Sequence, residues 1–276
     1  MRREAIPLHS KRQAALVQHL NPKKNLVDPH KGIATHLLLG TGVRNDTVGH
    51  VHEDWFKYIE GELYIKIPSK EQCRKEANGG KDSCTECDEG YYYPKTPKGG
   101  GRQILVPNKY YNAHSKRDEY FGLKDRVESY FGLSHEDAPE TARHGFKMIQ
   151  ADGRDGVSTP TVTGWVRDVC AAAQINKHRR ASRLENMLDP DTDGKMAGDR
   201  INDFGVDDEG NPIPDVIAHD LRACFCTQMC RTREDEENPD LMGIKQKTGH
   251  KNIATLEKYV GYGDNEIDVE KDKSMF

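Results

Sequence analysis

Apolar residues recur at helical spacing over residues 10–20, where Ala14, Leu16, Val17 and Leu20 fall on one face. A second helix is predicted from Pro29 to Leu39, ahead of Gly40 and Gly42. After Trp55 the pattern changes to alternation: Leu63, Ile65 and Ile67 interleave with Tyr64 and Lys66, and Ile104 and Val106 mark another extended run ending at Pro107. These runs predict a small antiparallel sheet. Between them, residues 69–90 are rich in Lys, Glu, Gly and Cys and read as an insertion. Helical sequence is predicted to resume over residues 115–131, 141–150 and 160–173, the last with Ser158 and Thr159 as caps. Residues 176–214 form a second polar excursion, 216–230 a helix, and 241–259 a closing segment beyond a charged loop that runs to Asp240. The expected fold class is α+β, mainly α-helical with a small antiparallel β-sheet.

Composition narrows the function classes. With 276 residues the chain is long enough for a proper core, yet only 35% are hydrophobic and 31% charged. The longest aliphatic run is Leu37-Leu38-Leu39, far short of a membrane span. Mixed polar sequence after Met1-Arg2-Arg3-Glu4-Ala5 predicts no signal peptide, hence a cytoplasmic protein without membrane association. Seven cysteines in a reducing compartment point to metal ligation or burial rather than disulfides. A net charge of −4 does not favour nucleic acid, but charge is unevenly spread. Lys177, Arg179, Arg180 and Arg183 cluster as a candidate DNA-binding patch, with a solvated basic face as the plainer reading.

Chemistry concentrates in three short segments: Thr41-Gly42-Val43-Arg44, His219-Asp220-Leu221-Arg222, and Thr248-Gly249-His250 followed nine residues later by Tyr259. In this order they resemble the catalytic domain of the tyrosine recombinase, or phage integrase, family. The stretch from His250 through Asn252, Ile253 and Thr255 to Tyr259 fits that family's nucleophile motif. The resemblance covers nearly the whole chain and implies a recombinase domain over residues 1–262, with insertions at about 69–90 and 176–214, and a C-terminal tail over 263–276.

The resemblance also implies roles. Tyr259 attacks a DNA phosphodiester and forms a 3′-phosphotyrosyl link. Arg44 and Arg222 hold the non-bridging oxygens, since a planar guanidinium fork suits two oxygens at once. His219 and His250 act as hydrogen-bond donors, and His219 assists deprotonation of the tyrosine. The leaving 5′-oxygen takes its proton from a hairpin lysine: Lys95 first, with Lys98 and Lys66 as alternatives. Where the family carries an acid three positions after the first arginine this chain has Thr47, beside Asp46. No cofactor is expected for catalysis; the only dinucleotide-like loop, near Gly40 and Gly42, lacks its third glycine. Expected partners are double-stranded DNA and a homo-tetramer on synapsed DNA. With 43 residues ahead of Arg44, the reading is a minimal recombinase, a fragment of a longer integrase, or a subunit helped by an accessory DNA-binding protein. The rival readings are a type IB topoisomerase and a non-catalytic DNA-binding remnant.

Three cysteines stand apart. Cys73, Cys84 and Cys87 lie in the first insertion, the last two at zinc-knuckle spacing, so a structural zinc with a further ligand from elsewhere competes with free surface thiols. Asp189, Asp191, Asp193 and Gly194 begin like a calcium loop, but Arg200 stands where its bidentate glutamate belongs, and a hydrated acidic turn is the better reading. Cys224, Cys226 and Cys230 follow Arg222 on one predicted helix and are assigned to core packing.

Overall fold

The computed structural model describes residues 7–8, 10–75, 84, 86–94, 101–112, 115–133, 144–175, 215–230, 241–250, 252–254 and 256. Helix α1 (Ser10–Leu20) leads through a single 3-10 turn to α2 (Pro29–Thr41), which forms the centre of the core. Asp28 caps α2 by accepting the amides of His30 and Lys31 at 3.0 and 3.1 Å, and Pro29 opens the first turn, where its missing N–H costs nothing. Every residue of α2 from Gly32 to Thr41 is buried. The helix is therefore packed on all sides, against α4 (Leu123–Phe131), α5 (Thr159–Ala172) and α6 (Ala218–Cys230). Two further helices among the described residues are the single-turn α3 (Asn45–Val48) and α7 (Leu241–Thr248).

The predicted sheet is present and antiparallel, in the order β1 (Phe56–Ile59), β2 (Glu62–Ile67), β5 (Arg102–Leu105). Its register pairs Phe56 with Ile65, Ile65 with Ile104, and Ile67 with Arg102. Alternation buries Leu63, Ile65 and Ile67 on one face. The same parity buries Arg102 together with Ile104. Strands β3 (Glu71–Gln72) and β4 (Tyr91–Tyr92) pair at the base of the first insertion.

Two helix predictions fail. Residues 115–131 are not one helix: β7 (Arg117–Tyr120) pairs with β6 (Lys109–Asn112) as a hairpin, and α4 begins only at Leu123. Glu119 decides this. Its carboxylate accepts from Asn112 and Ser115, which holds the hairpin's two arms together, and Gly122 at φ +76 breaks the backbone before α4. Residues 144–150 are also non-helical; Met148 bridges to His52, and Gln150–Ala151 (β8) pairs with Arg154–Asp155 (β9). By contrast Ser158 caps α5 as expected, accepting the Thr161 amide at 3.3 Å. Cys224, Cys226 and Cys230 are buried, in keeping with core packing.

Candidate active site

Each sequence segment reaches the site through the end of a helix. Gly42 terminates α2 at φ +59, and its amide donates to the Leu38 carbonyl. A side chain here would run into the Phe225 ring, so glycine is required both for backbone conformation and for space. The turn brings Arg44, half-buried, to the N-cap of α3. At the start of α6 the Asp220 carboxylate accepts the Ile217 amide at 3.0 Å, half of a capping box. That cap sets the first turn and the side chains it carries, His219 at the exposed rim and Arg222 buried below it.

Arg222 ties the segments together. Its Nη1 donates to the Gly42 carbonyl and its Nη2 to the Thr248 carbonyl at 2.5 Å. Both acceptors belong to helix C-termini, where carbonyls lack intrahelical partners and the helix dipole favours a cation. Thr248 Oγ1 donates to the Ile244 carbonyl at 2.8 Å, so the 2.7 Å bond between that oxygen and His250 Nδ1 must take its proton from the imidazole. Neutral His250 therefore carries its proton on Nδ1 and a lone pair on Nε2. Burial first, then the charges of Arg222, Arg44 and Arg102, push His250 down to about 4. His219 is lowered as well, by loss of hydration and by Arg222 and Arg44.

These shifts carry a stability prediction. An unfolded histidine titrates near 6.5. Between that pH and about 4 the unfolded chain takes up a proton that folded His250 refuses. Stability should be intact above about pH 6.5 and fall through this window as acid is added, by on the order of 3 kcal/mol. Urea unfolding from pH 7.5 to 4.5 measures it, and His250→Gln should take out part of the slope; an unchanged slope in the variant would refute the assignment.

One residue of the site escaped the sequence reading. Arg102, only 7% exposed, donates from Nη1 to the Thr248 carbonyl at 2.8 Å, so that carbonyl serves two guanidinium groups. Burial and the charges of Arg222 and Arg44 bring Arg102 down to about 10. Its Nε and Nη2 have no hydrogen-bond partner among the described residues. Gly249, at φ +68, leaves room for this side chain, since a Cβ there would stand 2.7 Å from Arg102 Nη1. The available signal was strand parity, which puts Arg102 on the face of Ile104.

Thr47, in the place of the family's acid, is buried and accepts a 2.7 Å hydrogen bond from the Tyr92 hydroxyl. Of the three candidate lysines only Lys66 is among the described residues, lining an open groove with Arg102 and Gln103. Lys95, Lys98, Tyr259 and the basic residues Lys177, Arg179, Arg180 and Arg183 lie outside the described residues, as do Asp189, Asp191 and Asp193. The described chain reaches Leu256, fully buried against Cys230 and Ile244. Cys73, Cys84 and Cys87 do come together, joined by His50 as a group able to hold a metal ion.

No family model and no curated protein matches the sequence. Solved structures do match. XerA recombinase superposes with a TM-score of 0.50 at 14% identity, over 99% of this chain and 66% of that one. The Tn1549 transposon integrase, solved with transposon right end DNA, superposes with a TM-score of 0.51 at 14% identity, over 94% of this chain and 62% of that one. This chain thus spans just under two thirds of each. The chain has the α+β fold of the tyrosine recombinases, as its motifs imply. No helix among the described residues is long and apolar enough to cross a membrane.

Proposed function

We propose that the chain is a site-specific DNA recombinase that cleaves and rejoins strands through Tyr259. The observation that carries this reading is the convergence of three separate segments on this fold: Arg222, one turn after His219, bonds the Gly42 carbonyl two residues before Arg44 and the Thr248 carbonyl, and Thr248 also bonds His250. Such a concentration of positive charge costs stability, and a phosphodiester is the group that repays it. In the step proposed, the Tyr259 oxygen bonds to phosphorus as the bond from phosphorus to the 5′-oxygen breaks. The phenolic proton passes to His219, or to the lone pair on His250 Nε2, and Lys95 protonates the departing 5′-oxygen. Arg44 and Arg222 hold the non-bridging oxygens, and Arg102, which shares the Thr248 carbonyl with Arg222, adds positive charge. Since the phosphotyrosine keeps the energy of the broken bond, rejoining reverses the step and requires no cofactor.

The substrate is double-stranded DNA, met in the cytoplasm by a homo-tetramer on synapsed sites, with an accessory DNA-binding protein as one candidate partner. Lys177, Arg179, Arg180 and Arg183 are proposed to lie along the DNA backbone. The thiols of Cys73, Cys84 and Cys87 support a structural zinc that takes no part in the chemistry. A pool of nicked duplexes randomised on both sides of the nick tests the central claim whatever the target sequence is. Some members should become covalently attached in a form that survives SDS, and sequencing them should return one motif. A pool that yields no covalent complex refutes the proposal, while attachment without sequence preference and relaxation of any supercoiled plasmid would favour a topoisomerase.

A further inference from the structure

We infer that His50 joins Cys73, Cys84 and Cys87 in a Cys3His zinc site that clamps the first insertion onto the segment carrying Arg44. The four ligand atoms all lie within 4.8 Å of one another. His50 Nε2 stands 3.2 Å from Cys87 Sγ and 3.8 Å from Cys84 Sγ. A tetrahedral zinc with bonds of about 2.0 Å to nitrogen and about 2.3 Å to sulfur needs ligand separations of roughly 3.5 to 3.8 Å. The cluster is close to that size, and soft thiolates with one imidazole select zinc over harder divalent ions.

The surroundings are built for a ligand. His50 Nδ1 lies 2.8 Å from the Asp46 carbonyl, which only accepts, so the proton sits on Nδ1 and the lone pair of Nε2 faces the thiols. The ring is 3% exposed by residue and stacks on Tyr92 at 3.9 Å between centroids and 13° between planes. Cys84 and Cys87 bracket a tight turn: the Cys87 amide donates to the Cys84 carbonyl at 3.2 Å, and the Glu86 amide points to Cys84 Sγ at 3.5 Å. Cys73 enters from β3, its amide bonded to the Gly90 carbonyl at 2.8 Å. Glu86 pairs with Lys75 at 2.5 Å and accepts the Thr159 amide at the start of α5.

What the metal would fix follows from the connections. Asp46, whose carbonyl orients His50, belongs to α3, and Arg44 is the residue immediately before α3, at its N-cap position. Tyr92, stacked on His50, holds Thr47 of the same helix and precedes Lys95 by three residues in sequence. Zinc would therefore brace both the first arginine and the approach to the hairpin lysine. This second half rests on the recombinase reading; the metal site itself does not.

The test is made on the full chain purified under reducing conditions. It should contain one zinc per chain. Cobalt substitution should give the visible bands of a tetrahedral ion with thiolate charge transfer, and a chelator should make three further thiols reactive. His50→Ala should weaken metal binding by more than the about 10–100-fold that loss of a supporting residue costs. His50→Cys should restore tetrahedral cobalt with stronger thiolate absorption, which separates ligation from a folding defect. Protein that binds neither zinc nor cobalt, or His50→Ala binding as tightly as the unsubstituted chain, overturns the site. If metal binds as described but its removal leaves covalent DNA attachment unchanged, the clamp on the Arg44 segment is overturned, and the recombinase reading is untouched.

Discussion

Tyr259→Phe is expected to abolish the covalent complex with DNA and leave non-covalent binding as it was. On the proposed mechanism the substitution removes one oxygen, the attacking one, and leaves this position no route to a phosphotyrosine. A free phenol titrates near pH 10, which leaves its activation to the charges around the phosphate rather than to ionisation in advance. Tyr262 is the natural competitor three residues on, but Gly261 and Gly263 flank it and read as the end of helical sequence. Leu256, three residues before Tyr259, is fully buried in the small cluster with Cys230 and Ile244. The chain entering the nucleophile segment is thus anchored to α6 and α7. Gel separation of SDS-resistant complexes reads the result directly. Tyr262→Phe should retain the complex, and its persistence in Tyr259→Phe would show that the nucleophile is misassigned.

Substitution of Arg222 is expected to have the second largest effect, and its two components can be separated. Arg222→Lys keeps a charge but loses the fork, and cleavage should fall by about 10²–10³, the usual cost of a preorganised donor at a reacting oxyanion. Arg222→Ala should in addition lose stability, because the Gly42 carbonyl gives up its Arg222 donor at roughly 1–3 kcal/mol. The Thr248 carbonyl is less affected, since Arg102 still donates to it. Arg222 is the largest charge acting on His250, so Arg222→Ala should raise that histidine's titration from about 4 while Arg222→Lys moves it less. Histidine NMR against pH follows this without any DNA present. Wild-type cleavage by Arg222→Lys would mean that this guanidinium is only a structural tie between α2, α6 and α7.

Arg44, His219, Arg222 and His250 could be singled out in the sequence because each sits in a short word with its own local logic. Gly42 must follow α2 for the chain to turn, Asp220 must sit where it caps α6, and Gly249 must end α7 before His250. The helices with strong caps and the strand with clean alternation were legible for the same reason: caps and period are local. Residues 115–131 defeated that approach because apolar spacing there suits a helix, whereas the bonds of Glu119 to Asn112 and Ser115 hold a hairpin that pattern alone does not reveal. Tertiary structure alone decided that Arg102 shares the Thr248 carbonyl with Arg222, and that His50 faces three cysteines from 23 to 37 residues further along the chain. Neither pairing has a fixed spacing. Both are set by where packed strands and helix ends place side chains in space, which is why the motifs named the candidate chemistry and the fold supplied its remaining partners.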